Sequence, residues 1–310
     1  MKDSMWVQLP PSVQAAVEER GVNPESFNKL FYGLPNDSAV LLVGSYAEGL
    51  SHVSSDIDLL VLLEAGETPT IKDEAKSIPH PTSLSDDYLV MVNGVEVNIE
   101  FVRMESIERL IQAMRKFAVF FDDNTQPICL PVLQILEVRF LNRLRMGIPL
   151  AGAERHQRWK RESRTDLLPE SQLLLNFIGA MDYLEDSASR LNSREDQLTS
   201  GVMARIAAEG VVLAALAAKG VTPHDIKLAL KYIKRLKQKE ETLPEPLLQV
   251  ETLLFPQKEE LGITYFHSIL NQLASLFSYV KKDPVLVSVA EFLRQYGQGR
   301  WQIDSSFLFV

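Results

Sequence analysis

The sequence predicts an α+β protein, with a small mixed-sheet domain over residues 1–125 followed by an α-helical bundle domain over residues 126–310. Three observations carry that expectation. Short apolar runs rich in strand formers crowd the first hundred residues, and from about Pro131 onward only helical periods occur. The charge also changes sign: residues 1–125 hold nine Lys and Arg against 20 Asp and Glu, while the rest hold 23 bases against 21 acids. A chain of 310 residues is long enough for two such units.

The elements follow in order. Val13 to Lys29 has helical spacing, broken near Gly21-Val22-Asn23-Pro24. Ala39-Val40-Leu41-Leu42-Val43 is a short strand ended by Gly44, and Ile57 to Leu63 is a second, entered from Ser54-Ser55-Asp56. Residues 65–87, rich in Pro, Ser and acids, read as a surface connection. Tyr88 to Val92, then Asn93-Gly94, then Val95 to Val102 is a hairpin pattern, because Asn-Gly accepts the positive φ angles of a two-residue turn. These make four strands in the first 102 residues, and a helix from about Glu105 to Phe120 follows. A break around Asp122 to Pro127 marks the domain boundary. Beyond it, helices are expected at Val132–Arg145, Ser171–Leu191, Ser193–Lys219, Ile263–Val280 and Val285–Tyr296. Ser193 and Asp196 form a capping-box pattern, and Thr222-Pro223 should cap and open a further helix.

Composition narrows the function classes. A hydrophobic fraction of 46% with 24% charged residues excludes wholesale disorder, and a net charge of −9 argues against an extended nucleic-acid binder. The single cysteine, Cys129, makes no internal disulfide or thiolate metal cage. Met1-Lys2-Asp3-Ser4 lacks the pattern of a signal peptide. The longest purely apolar run, Val211–Ala218, falls short of the roughly 20 residues that span a bilayer. A cytoplasmic protein without a membrane partner is the expectation.

Chemistry concentrates between Val43 and Val61. A buried strand runs into Gly44-Ser45, where glycine lets the backbone approach a ligand and a short helix should start; its N–H groups and the Ser45 hydroxyl would cradle an anion. The chain re-enters the sheet at Asp56-Ile57-Asp58, where alternation points both aspartates to one face. Two stacked carboxylates repel unless a cation lies between them, and hard oxygen donors at this spacing suit Mg²⁺. On the strand after the Asn-Gly turn, period two sets Glu96, Asn98 and Glu100 on one face and Val95, Val97, Ile99 and Phe101 in the core.

Gly44-Ser45, the gap of about ten residues and Asp56-x-Asp58 within a strand resemble the nucleotidyltransferase superfamily, which includes DNA polymerase β and the aminoglycoside nucleotidyltransferases. The resemblance implies a third carboxylate on a later strand, either Glu100 or Glu96, with Glu100 preferred for its apolar flanks. It implies two Mg²⁺ ions held by Asp56, Asp58 and Glu100, with Glu100 also a candidate general base, and an NTP whose β/γ-phosphates rest on Gly44 and Ser45. The remainder of the chain looks more loosely like the helical substrate-binding and nucleotide-binding bundle of stand-alone members. Lys227, Lys231 and Lys234 form one helical stripe there, and Lys227 or Lys231 is expected to reach the phosphates. The basic cluster from Arg139 to Arg164 would also face phosphate.

The implied reaction transfers an NMP, expected as AMP from ATP, to a hydroxyl of a small-molecule acceptor and releases pyrophosphate. Transfer to protein, to an RNA 3′ end or to a second nucleotide are alternatives, as is a non-catalytic nucleotide-binding module. His52 and Glu48 could touch nucleotide, sugar or acceptor, although a solvent-facing loop residue and a surface acid are the plainer readings. Trp159 and Trp301 read as packing residues.

Overall fold

A computed structural model describes residues 5–35, 37–52, 54–68, 76–78, 84–122, 130–191, 196–239, 242–256, 262–284 and 286–300. Cys129, Ser193, Trp301 and most of the expected boundary stretch lie outside the described residues. The fold is α+β. The backbone packs into two compact units, one formed by Met1–Arg115 with Leu133–Asp166 and the other by Lys116–Val132 with Leu167–Val310. The units therefore divide elsewhere than at residues 125 and 126, because the chain returns to the first unit after leaving it.

The first unit is built on a six-stranded sheet of order β3-β4-β5-β2-β1-β6. Its strands are β1 (Ala39–Val43), β2 (Ile57–Leu63), β3 (Lys76–Ile78), β4 (Ser85–Val92), β5 (Val95–Arg103) and β6 (Ile148–Ala151). Only β2 and β5 run parallel; the other neighbours are antiparallel. The hairpin of β4 and β5 turns on Asn93 and Gly94, both with positive φ (49° and 81°), as Asn-Gly permits. Two strands depart from the sequence reading. Strand β3 lies within the expected surface connection, and β6 lies within the stretch that reads as helical throughout, pairing with β1 at the sheet edge.

Helices α1 (Met5–Gln8), α2 (Pro11–Glu18) and α3 (Pro24–Lys29) cover one face of the sheet. Trp6, Val17, Phe27 and Phe31 pack there with Leu42, Leu59, Val97, Ile99 and Phe101 in one core. The break between α2 and α3 is a reciprocal cap: Ser26 N donates to Asn23 Oδ1 at 2.8 Å, and Asn23 N donates to Ser26 Oγ at 3.2 Å. On the other face, Leu41, Leu60, Leu62 and Val102 are also fully buried. The sheet is thus apolar on both sides, and polar residues on β2 and β5 of that second face are exceptions that call for a function.

A four-residue helix, α4 (Gly44–Ala47), leaves the end of β1, and α5 (Glu108–Asp122) follows a 3₁₀ turn after β5. Helix α6 (Ile135–Met146) then starts at a capping box in which Gln134 N donates to Glu137 Oε2 at 2.7 Å. It ends at Gly147, where a Cβ would lie 3.2 Å from the Leu41 side chain, so the missing side chain lets the helix end approach β1. Helix α7 (Ala153–Glu162) follows β6 and buries Trp159 and His156.

The second unit is helical: α8 (Leu168–Arg190), α9 (Gln197–Ala218), α10 (Ile226–Gln238), α11 (Glu245–Leu248), α12 (Val250–Leu254), α13 (Ile263–Lys282) and α14 (Val287–Arg300). Helices α8 and α9 meet through small residues. A Cβ on Gly210 would stand 3.1 Å from Ala180 Cβ, and Ser187 and Ser200 exchange hydroxyl-to-carbonyl hydrogen bonds of 3.0 Å. By length and composition Leu198–Ala218 could cross a membrane, yet it supplies buried core residues such as Ala207, Val211, Val212 and Leu216. Helix α10 is capped by Asp225, which accepts from Leu228 N at 2.7 Å, and not by Thr222, which is buried. Burial pushes the Tyr265 hydroxyl up to about 12, and that hydroxyl donates to Leu253 O at 2.5 Å.

His156 makes the first unit sensitive to acid. Its Nε2–H donates to Leu144 O at 2.7 Å, and its buried Nδ1 has no partner among the described residues. Burial lowers its pKa below the ordinary 6.5, so the unfolded chain takes up the proton first. The stability that the neutral ring contributes is complete above pH 6.5 and is lost as pH falls through the lowered folded-state value. The urea midpoint of the wild type should therefore drop between about pH 7.5 and about pH 5 more steeply than that of His156→Asn. Equal slopes would mean that the imidazole does not titrate with unfolding.

Candidate active site

The sheet's exceptional polar residues gather where β1 ends and β2 begins. Asp58, the second residue of β2, stands opposite Val43 on β1 and opposite Asn98 on β5. Two pairs further along, Glu100 of β5 stands beside Leu60. In-register neighbours share a face, so Asp58, Asn98 and Glu100 line one side of the sheet. Asp56 enters β2 two residues before Asp58, is half-buried, and has no hydrogen-bond or ion-pair partner among the described residues.

Gly44 allows this crowding. Its φ is +66°, and a Cβ there would come within 2.9 Å of Asp58 Cγ and 3.1 Å of Asp58 Cβ. Backbone and carboxylate thus meet where any side chain would push them apart. Ser45, the next residue, is half-buried in the first turn of α4.

The charge around Asp58 comes largely from α6. Arg139 and Arg143 are one helical turn apart and share a face of that helix. Arg143 lies 3.6 Å from Asp58 Oδ1 and donates to Glu100 Oε2, and Arg139 lies 3.6 Å from Glu100 Oε1. Asn98 Nδ2 donates to Asp58 Oδ1 at 3.4 Å. Burial pushes the Asp58 carboxyl above its ordinary value; Arg143 and Asn98 pull it back, while the charges of Asp56 and Glu100 add to the rise. Arg143 is itself held more firmly protonated: burial alone would lower it, and Glu100 and Asp58 more than offset that.

The expected residues divide accordingly. Gly44, Ser45, Asp56 and Asp58 come together, and Glu100 lies on their face of the sheet. Glu96 sits beside the turn opposite Met91, half-buried. Lys227 and Lys231 lie on α10 of the second unit, Lys227 exposed and Lys231 half-buried. Glu48 is not a surface acid: it is buried and accepts from Asn142 Nδ2 at 3.3 Å. His52 is exposed in the loop before β2, and Trp159 is fully buried, as a packing residue should be. Sequence reasoning places Arg139 and Arg143 only in a general basic cluster; their four-residue spacing on one helix is the signal of a joint role. A cavity of about 680 Å³ opens at the opposite end of β1, near Ser38, Val40 and Arg158, and does not include the aspartates.

Asp56 and Asp58 fit a divalent cation in part. Asp56 is a carboxylate without a partner among the described residues, and the burial of Asp58 is not fully offset by Arg143 and Asn98. Glu100 fits less well, since both of its oxygens face guanidinium groups. Among the described residues no group of three His, Cys, Asp or Glu is arranged to hold a metal.

Residues 25–120, which contain Gly44, Ser45, Asp56, Asp58 and Glu100, match the nucleotidyltransferase domain family. The match covers under a third of the chain and supports nucleotidyl transfer as its general activity. Among solved structures, a nucleotidyltransferase-like protein from Exiguobacterium sibiricum aligns over 95% of this chain and 86% of its own, with 15% identity and a TM-score of 0.41. No curated protein gives a significant match.

Replacing Gly44 tests the crowding directly. Gly44→Ala places a Cβ against Asp58 and adds the left-handed penalty of about 1–2 kcal/mol. Its unfolding free energy should fall by at least that much in urea titrations. An unchanged midpoint would show that Asp58 and the bend are not in contact.

Proposed function

We propose that the chain is a Mg²⁺-dependent nucleotidyltransferase that moves AMP from ATP onto a hydroxyl of a small acceptor and releases pyrophosphate. One observation carries this reading: Asp56, without a partner among the described residues, and a buried Asp58 pressed against a side-chain-free bend lie inside a segment that matches the nucleotidyltransferase domain. Asp56 and Asp58 would hold the cation. When bound, it neutralises phosphate oxygens and acidifies the attacking hydroxyl. The backbone at Gly44 permits close approach of the triphosphate, and the Ser45 hydroxyl donates to a phosphate oxygen. Arg143 supplies fixed positive charge at the same end of the sheet, where negative charge builds during transfer. The acceptor oxygen bonds to the α-phosphorus as the bond to the bridging oxygen breaks, and its proton passes to water. A cytoplasmic setting suits a chain with one cysteine.

A second reading, a nucleotide-binding module without turnover, is favoured by the pairing of Glu100 with two arginines. Incubation with each NTP, Mg²⁺ and a metabolite extract, followed by mass spectrometry, separates the two. A gain of one nucleotide on a small molecule supports transfer, and binding without any product supports the module. Within the transfer reading, Asp58→Asn should lower Mg²⁺-dependent pyrophosphate release by more than about a hundredfold. A retained rate would remove Asp58 from the chemistry.

A further inference from the structure

Glu100 occupies the place where the nucleotidyltransferase resemblance calls for a third metal ligand, yet its surroundings are those of an ion pair. Its side chain is only 7% exposed, with Arg143 on Oε2 and Arg139 3.6 Å from Oε1. Arg143, itself 17% exposed, also lies 3.6 Å from Asp58 Oδ1, so one guanidinium stands between the two carboxylates that a second cation would have to bridge. An arginine does not lose its charge, and at these distances a divalent ion in the same place would meet strong repulsion. Both arginines are held independently of any ligand, by a helix with a complete capping box at its start and a side-chain-free packing contact at its end.

We infer that this site takes a single divalent ion, on Asp56 and Asp58, and that Arg143, anchored by Glu100, is the permanent cation in the second position. Glu100 is then a positioning residue that acts through Arg143, and it neither binds metal nor accepts the acceptor's proton. The inference rests on the transfer reading for the identity of the site, but concerns the number and kind of its cations. Arg139 gains a role as well, since it shares Glu100 with Arg143 and keeps the glutamate compensated if Arg143 turns toward substrate.

Counting bound Mn²⁺ on the full chain by electron paramagnetic resonance, with and without ATP, tests this. One ion per wild-type chain is expected, with its affinity kept within about twofold in E100Q, because Glu100 is not a ligand. In R143M the fixed charge beside Asp58 is lost and Glu100 Oε2 is freed while Oε1 keeps Arg139, and either a second ion or a tighter first one should appear. Circular dichroism melting of both variants shows whether each is folded at the assay temperature, and R143M retains the Glu100–Arg139 pair should E100Q unfold. Two ions in the wild type with the second lost in E100Q, a tenfold weaker first site in E100Q, or unchanged Mn²⁺ binding in folded R143M would each overturn the inference while leaving nucleotidyl transfer intact. No bound Mn²⁺ in the wild type, even with ATP, would instead overturn the transfer reading on which the inference stands.

Discussion

The Asp58 carboxylate is pressed against the Gly44 bend on one side and met by Asn98 and Arg143 on another. Most of the first unit can be understood as what keeps that arrangement in place. Strands β1 and β5 flank β2 and carry the two neighbours that fix its height in the sheet. Helices α1 to α3 bury the opposite face, so the sheet cannot turn its polar residues toward them without exposing Phe101, Ile99 and Leu59. Helix α6 supplies the charge, and its register on β1 is set at Gly147. A buried acid with several acids near it is costly unless such charges are supplied, and here they arrive from a segment more than 80 residues later in the chain.

How much of this was legible depends on how local the information is. The Asn93-Gly94 hairpin, the strands at 39–43 and 57–63 and the aspartates on one face follow from short-range rules, because turn geometry and alternation need only a few neighbouring residues. Strand β6 is four residues long and contains Pro149, which lacks an amide donor and is tolerated at a sheet edge. Its partner β1 lies over a hundred residues away, so no local pattern marks it. The cap of α10 shows a subtler loss: Thr222-Pro223 and Asp225 are both good opening signals, and only packing, which buries Thr222, decides between them.

The same distinction separates the two halves of the site. Gly44, Ser45, Asp56 and Asp58 fall within fifteen residues, and their spacing alone points to phosphate and metal chemistry. Which partner Glu100 finds, metal or arginine, depends on where α6 lands, and that is a tertiary outcome. Glu48 likewise resembles a surface acid in the sequence and is buried against Asn142 of the same helix. Helix α6 is thus the element that converts a family pattern into this chain's own electrostatics.

The first unit is discontinuous, its sheet closed by a strand and two helices that arrive only after the chain has left and come back. During synthesis β1 must therefore wait, one edge unpaired, until residues near 150 emerge from the ribosome. A chain broken after the first five strands would expose that edge and leave Glu100 without its arginines. Excising this portion with a single cut is consequently a recipe for aggregation, and any minimal version has to keep both stretches joined by a new connection.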